Sequence, residues 1–344
     1  MLNTHRRFWV AAGLTWLAWA TCSACSRPQA EGNAKPVAEA AKVVKIAMIP
    51  KGTTHEFWKS VHAGAVKAEK EFGIQLLWKG PLREDDLKGQ IDVVQNFTAQ
   101  GVSAITLAPL NDKALVGAVA GAVAAKIPVL VFDSGLAGTA HVSFVATDNF
   151  AAGKLAGERM VQLLSGKGGV VVLRYQEGSA STREREEGFL SALGGKADIK
   201  ILSANQYGGA NTESAFAASE SLLLAQSAAK GAVAGVFCPN ESTTFGMLLA
   251  LQKTGLAGKI RFVGFDASEK LEAGVRAGHI DALVLQDPFR MGYLAIKTTV
   301  EHLRGAKVPA RIDTGAALVD KANIAEAKYQ ELLHPDLKKW LGEK

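Results

Sequence analysis

The sequence predicts an α/β protein with parallel strands, arranged as two doubly wound parallel-sheet lobes. Three observations carry this. Short runs rich in Val and Ile alternate with helical patterns along the chain, and repeated βα units build a parallel sheet. The segments Val129-Leu130-Val131-Phe132-Asp133-Ser134 and Phe262-Val263-Gly264-Phe265-Asp266-Ala267 are near repeats, each a buried-type strand ending in Phe-Asp. The 344 residues are 48% hydrophobic, enough to fill two domains of about 100 to 200 residues each. One broad sheet is the alternative, and the near repeat favours two smaller ones.

Residues 1–24 have the order of a secretory signal peptide: His5-Arg6-Arg7, an apolar stretch from Phe8 to Ala20, then small residues. The apolar stretch is shorter than the roughly 20 residues a spanning helix needs. Ser23-Ala24 before Cys25 resembles a bacterial lipoprotein cleavage box, with Cys22 where that box usually has Leu. The resemblance implies lipid attachment at Cys25, and ordinary cleavage nearby is the alternative. Residues 25–42, with Pro28, Gly32 and Pro36, then read as a tether. Loss of Arg6 and Arg7 would take the formal charge from +6 to +4. The remaining basic residues alternate with acids, as in Arg183-Glu184-Arg185-Glu186-Glu187, which describes a solvated surface and speaks against nucleic acid as a partner.

Strands are expected at Val43 to Ile49, Ile74 to Trp78, Ala104 to Leu107, Val129 to Phe132, Val170 to Leu173, Ile199 to Leu202, Val233 to Phe237, Ile260 to Phe265 and Ala282 to Leu285, with a returning strand near Thr314 to Val319. The intervening helices are amphipathic: Trp58, Val61, Ala65, Ala68 and Phe72 form one apolar stripe, and Leu87, Ile91, Val94 and Phe97 another. Thr53 and Glu56 have capping-box spacing at the start of the first helix. Because ligands of open parallel sheets bind beyond the carboxyl ends of the strands, Asp133 and Asp266 could face one shared cleft. Asp is equally a residue type that caps a following helix.

Catalytic motifs are largely absent. His55-Glu56 begins like a zinc-protease motif, yet position 59 is Lys and the next histidine is His62, so the two ligands cannot lie one turn apart. Ser165-Gly166-Lys167-Gly168-Gly169 lacks the spacing of a phosphate loop and precedes a strand, which makes it a helix-to-strand turn. Neither a nucleophile elbow nor a dinucleotide fingerprint is present. Cys238, at the end of an apolar strand, reads as a buried structural thiol. Neither an enzyme nor a cofactor or metal site is expected.

From Val44 to about Ile324 the chain resembles the type I periplasmic substrate-binding proteins of ABC transporters, most closely the ribose-binding-like sugar group. The resemblance rests on Ile49-Pro50-Lys51 through Glu56-Phe57-Trp58-Lys59-Ser60, Ile127 to Asp133, Thr147-Asp148-Asn149 with Gly153-Lys154, Arg183-Glu184-Arg185 with Gly188-Phe189, Asn240-Glu241, Val263 to Asp266 and Gln286-Asp287-Pro288, in that order. It implies two lobes joined by a three-segment hinge that shuts on a ligand. The lobe limits it implies are 43–147 with 287–315, and 148–286 with 316–325. Residues 326–344 form a helical tail.

Carried over residue by residue, the resemblance implies that Phe57 and Trp58 pack on a sugar ring and that Tyr207 approaches from the other lobe, because the C–H faces of a sugar suit aromatic rings. Asp133, Arg183, Asn240, Asp266 and Gln286 fall at polar ligand positions, where carboxylates and a guanidinium fork suit a polyol. Lys51 matches a ligand-contacting lysine of the autoinducer-2-binding branch. Trp58 also lies on its helix's apolar stripe, and Arg183 among acids that could pair with it at the surface. Departures from the ribose pattern are His55-Glu56 for an Asn, Ala108 for an Asn, and Ser134 for an Arg, so three polar contacts to ribose would be missing or changed.

The expected function is an extracytoplasmic solute-binding component in the periplasm or at the cell surface. It would bind a sugar-like small molecule, act as a monomer with an ABC transporter permease, and touch the membrane only through its lipid anchor. A ligand-sensing receptor using the same cleft is the alternative. A DNA-binding repressor with this fold would need a helix-turn-helix ahead of the first strand, where a signal peptide and tether stand instead.

Overall fold

The computed structural model describes residues 43–342; the signal peptide, the tether and Cys25 lie outside them. The first half of the chain runs β1 (Lys45–Ile49), α1 (Glu56–Phe72), β2 (Gln75–Trp78), α2 (Leu87–Ala99), β3 (Ala104–Leu107), α3 (Val116–Ala124), β4 (Val129–Phe132) and β5 (Phe144–Ala146). The second runs α4 (Asn149–Leu163), β6 (Gly168–Arg174), α5 (Ala180–Leu193), β7 (Ile199–Tyr207), α6 (Thr212–Ala225), β8 (Gly235–Phe237), α7 (Glu241–Lys253), β9 (Arg261–Phe265), α8 (Glu269–Arg276) and β10 (Ala282–Leu285). It ends with α9 (Pro288–Leu303), β11 (Arg311–Asp313), β12 (Ala317–Val319), α10 (Ala327–Leu333) and α11 (Leu337–Leu341).

These strands form two six-stranded sheets in the orders β11-β5-β4-β3-β1-β2 and β12-β10-β9-β8-β6-β7. The order repeats between them, so each lobe is the same doubly wound plan. Every pairing is parallel except β10 with β12. Among the described residues the chain passes between the sheets three times: from β5 to α4, from β10 to α9, and from β11 to β12. The first lobe's central strands are buried on both faces, as β3 and β4 show throughout their lengths, which is why they read as continuous apolar runs without alternation.

Sequence expectation and structure differ at several places. The three-residue strands β5 and β11 were not anticipated; each makes only three residues of ladder, too short to leave a period. Thr53 does not cap α1. The N-cap is His55, which makes no side-chain cap bond, because its ring is engaged elsewhere. The capping alternative for Asp133 and Asp266 is not realised either, since Ser268 caps α8 and a loop and β5 follow β4.

In each lobe one helix pair meets through glycine. A Cβ on Gly64 of α1 would stand 1.9 Å from the Phe289 carbonyl oxygen, and one on Gly292 of α9 2.0 Å from that of Val61. In the second lobe Gly153 of α4 sits equally close to the backbone of Arg185 on α5, which fixes where that arginine stands. Overpacking a tight contact costs about 1 to 3 kcal/mol, so Gly64→Ala and Gly292→Ala should each lower the melting temperature by several degrees. Gly117, on α3 with open space around it, is the control: Gly117→Ala should raise stability by up to about 1 kcal/mol. Equal effects at all three positions in thermal unfolding would contradict this packing.

Candidate functional site

The carboxyl ends of both sheets face each other across a closed cleft. The first lobe supplies Lys51 after β1, His55, Phe57 and Trp58 at the start of α1, Glu84 from the β2–α2 loop, and Asp133 after β4. The second lobe supplies Tyr175 after β6, Ser181, Thr182 and Arg185 on α5, Asn240 and Glu241 at the start of α7, Asp266 after β9, and Gln286 after β10.

Asp133 and Asp266 occupy equivalent strand ends in left-handed backbone conformations, φ 60° and 67°. Non-glycine residues seldom stand there, and Asp is among the few that do so at modest cost. Asp133 pairs with the buried Lys51 ammonium at 3.2 Å, and Lys51 also donates to Ser181 Oγ at 3.0 Å and Ser179 Oγ at 3.3 Å in the opposite lobe. Asp266 accepts from the Glu241 N–H at 3.1 Å and from Gln286 Nε2 at 2.7 Å. Burial raises its pKa, and Arg185, 3.9 Å away, opposes that shift.

Arg185 is held on three sides. Nε donates to Asn149 Oδ1 at 2.8 Å, Nη1 donates to the Pro239 carbonyl at 3.0 Å, and the guanidinium lies 4.0 Å from the Phe265 ring centroid. Its Nη2 is buried with no partner among the described residues, as is Oε1 of Gln286.

Glu84 ties the lobes together. Its Oε1 accepts from Trp58 Nε1 at 2.6 Å and faces His55 Nδ1 at 2.7 Å, while Oε2 accepts from the Tyr175 hydroxyl of the other lobe. Burial alone would raise its pKa, but His55 and Lys51 outweigh burial and pull it down to about 2. For His55 burial is likewise outweighed, and the Glu84 carboxylate lifts it to about 9. Burial pushes Glu241 up to about 7, only partly offset by His55.

Of the residues proposed from sequence, Lys51, Phe57, Trp58, Asp133, Asn240, Asp266 and Gln286 line this cleft. Trp58 is also core, edge-on to Phe57 and Phe132. Asn240 caps α7 through its Oδ1. Arg183 and Tyr207 do not line it. Arg183 is 43% exposed and pairs with Asp112 at 2.7 Å; two positions along a helix is about 200° of turn, so Arg185 faces inward where Arg183 faces out. Tyr207 ends the edge strand β7 and is 44% exposed, whereas Tyr175 directly follows the inner strand β6. The cleft residues sequence reasoning passed over are His55, Glu84, Tyr175, Ser181, Thr182, Arg185 and Glu241. Arg185 had a signal, since it follows Arg183 by two in the same motif; Glu84 had none, because it sits in a charged loop like any solvated one.

The departures from the ribose pattern are occupied by the protein itself. His55 turns to Glu84, Ser134 Oγ accepts the Ser181 N–H at 3.1 Å across the lobes, and Ala108 offers backbone groups alone, its carbonyl accepting from Gln90 Nε2 at 2.8 Å and its N–H donating to the Ile49 carbonyl at 2.9 Å. Cys238 is fully buried, which pushes its thiol well above the ordinary range. Among the described residues no cluster of His, Cys, Asp and Glu could hold a metal ion, and no helix is long and apolar enough to cross a membrane.

A lobed α/β pair closing on a cleft of carboxylates, aromatic rings and a guanidinium defines a solute-binding protein. The chain belongs to the periplasmic binding protein domain family, whose model matches residues 46–307. It is 29% identical over 276 residues to the ribose import binding protein of Haemophilus influenzae, covering 80% of this chain and 91% of that one. Among solved structures, the periplasmic component of an ABC-type sugar transport system from Hahella chejuensis is similar at 39% identity and TM-score 0.77, over 80% of this chain and 99% of its own. A carbohydrate transporter solute-binding protein from Agrobacterium radiobacter, in complex with D-arabinose, is similar at 32% identity and TM-score 0.80, over 86% of this chain and 100% of its own. These relatives are binding proteins, not enzymes.

Outside the cleft Glu186, pushed up to about 7 by burial, favours the folded state in acid; within the cleft the pH dependence of stability follows from His55 and Glu241. Both have folded pKa values above their unfolded ones, so the folded state holds more protons and stability falls as pH rises. The Glu241 contribution fades between its ordinary 4.5 and about 7, and that of His55 between 6.5 and about 9. Glu84, depressed to about 2, contributes above 4.5 and loses its contribution only in acid. The melting temperature of the unliganded protein should therefore decline from pH 6.5 to pH 9, and His55→Gln should flatten that decline; an unchanged slope in the variant would contradict the pairing.

Proposed function

We propose that the protein is the extracytoplasmic solute-binding component of an ABC-type importer, capturing a sugar between its lobes by hinge closure and presenting it to a membrane permease. The observation that carries this reading is the pair of unpartnered buried atoms, Arg185 Nη2 and Gln286 Oε1. A buried polar group without a partner costs about 1 to 3 kcal/mol, and the two are a donor and an acceptor. A ring bearing several hydroxyls answers both at once, while Phe57 and Trp58 offer faces to its C–H groups. The names of the relatives support the same ligand class. Ligand contacts are assigned to Lys51, Phe57, Trp58, Asp133, Arg185, Asn240, Asp266 and Gln286. His55, Ala108 and Ser134 withdraw three polar contacts from ribose, which favours a different sugar. The reading places the protein in the periplasm as a monomer, exported by residues 1–24 and anchored by lipid on Cys25.

Two measurements test this. A thermal-shift screen against pentoses, hexoses and polyols should give a hit, because a ligand at 100 times its Kd stabilises by about 2.7 kcal/mol; no shift with any sugar would overturn the reading. With the best sugar, calorimetry should find binding weakened at least about a hundredfold, or about 2.7 kcal/mol, by Arg185→Gln and within about threefold of the parent for Arg183→Ala. The reverse ranking would restore the site inferred from sequence.

A further inference from the structure

The cleft continues beyond the chamber just described. His55, Phe57, Glu241, Asp266 and Gln286 line the chamber and also one end of a second cavity of about 830 Å³, within the range of small-molecule sites. The far wall of this second cavity is the C-terminal segment from Leu332 to Lys338. That segment follows β12 and lies C-terminal to the residues 46–307 that the family model matches.

The segment is a strap fixed at both ends. Tyr329, Leu332 and Leu333 pack on the core of the second lobe, and His334 Nε2 meets Glu272 Oε2 of α8 at 2.8 Å. Beyond Pro335 the chain crosses to the first lobe, where α11 packs on α1 and the Trp340 ring lies 6.2 Å from that of Phe289, with the Lys70 ammonium 5.4 Å from Trp340. The groove beneath it is therefore a built wall. Its lining mixes ring and aliphatic faces (Phe57, Phe245, Leu333) with polar groups (Thr212, Lys270), the same combination that suits a sugar in the inner chamber. At the junction Gln286 is held by Asp266 through Nε2, and its Oε1 is buried and unpartnered.

We propose that the site has two compartments and that its ligand is a glycoside: one sugar ring in the inner chamber, joined past Gln286 and Phe57 to a second ring seated in the groove under the strap. This rests on the sugar-binding reading above and extends it from a monosaccharide to a two-ring ligand.

The test uses the full chain and the free sugar giving the largest thermal shift. Its Kd is compared by calorimetry with those of the disaccharides that carry it at the non-reducing end and of its α- and β-p-nitrophenyl glycosides. At least one two-ring ligand should bind about tenfold tighter than the free sugar. Preference for a disaccharide identifies the outer ring as a sugar, and preference for the aryl glycoside as an apolar group. Leu333→Trp and, from the opposite wall, Thr212→Phe should each fill the groove and erase the gain while leaving the free-sugar Kd within about twofold, which also shows that the variants fold. If every two-ring ligand binds at least about tenfold more weakly than the free sugar, or if both variants leave the gain intact, the two-compartment site is overturned while sugar binding stands. If neither free sugars nor glycosides bind, both readings fall.

Discussion

Burial of charge is the constraint on which the closed form depends. Lys51, Glu84, Asp133, Arg185 and Asp266 are each less than 9% exposed, and ions taken out of water are tolerated only when paired and hydrogen-bonded. Several of those partners belong to the opposite lobe. Lys51 needs Ser179 and Ser181, and Glu84 needs Tyr175. Closure and charge satisfaction are thus one event. In the arrangement described, the facing of the lobes and the pairing of these groups come together. Of the buried side-chain atoms without partners among the described residues, two, Arg185 Nη2 and Gln286 Oε1, belong to this cleft, where the polar network is otherwise nearly closed.

Much of the fold was legible because the parallel strands are buried on both faces, leaving apolar runs that sequence displays directly. The two short strands β5 and β11 were hidden for the opposite reason: three residues of ladder have no period, and they exist because the neighbouring sheet edge offers them bonds. The cleft was legible where a residue follows a strand end, as for Asp133, Asp266 and Gln286, since topology alone puts those positions at the mouth of the sheet. It was illegible where helix phase or a loop path decides. Arg183 and Arg185 are alike in type and two apart in sequence, and the close packing of Gly153 on the Arg185 backbone, with Asn149 and the Pro239 carbonyl holding its guanidinium, sets which one turns inward. Glu84 lies in an ordinary charged loop and becomes a linchpin only because α1 presents His55 and Trp58 to it.

The sequence positions that depart from the ribose-binding pattern are connected in three dimensions. His55 has taken Glu84 as its partner, and Ser134 has taken the Ser181 N–H. Ser134 thereby joins the lobes directly, whereas His55 does so only through Glu84, which accepts from Tyr175 of the other lobe.

The left-handed backbones of Asp133 and Asp266 bear on how such a protein changes over time. Apart from glycine, Asn and Asp occupy that conformation routinely, and other L-residues incur roughly 1 to 2 kcal/mol there. The exchanges open at these two strand ends are therefore few, and Gly would also discard the side chain. The helix starts and loops, where His55 and Ser134 depart from the ribose pattern, carry no such backbone demand. At these two strand ends the backbone, as much as the chemistry of the side chain, selects the residue.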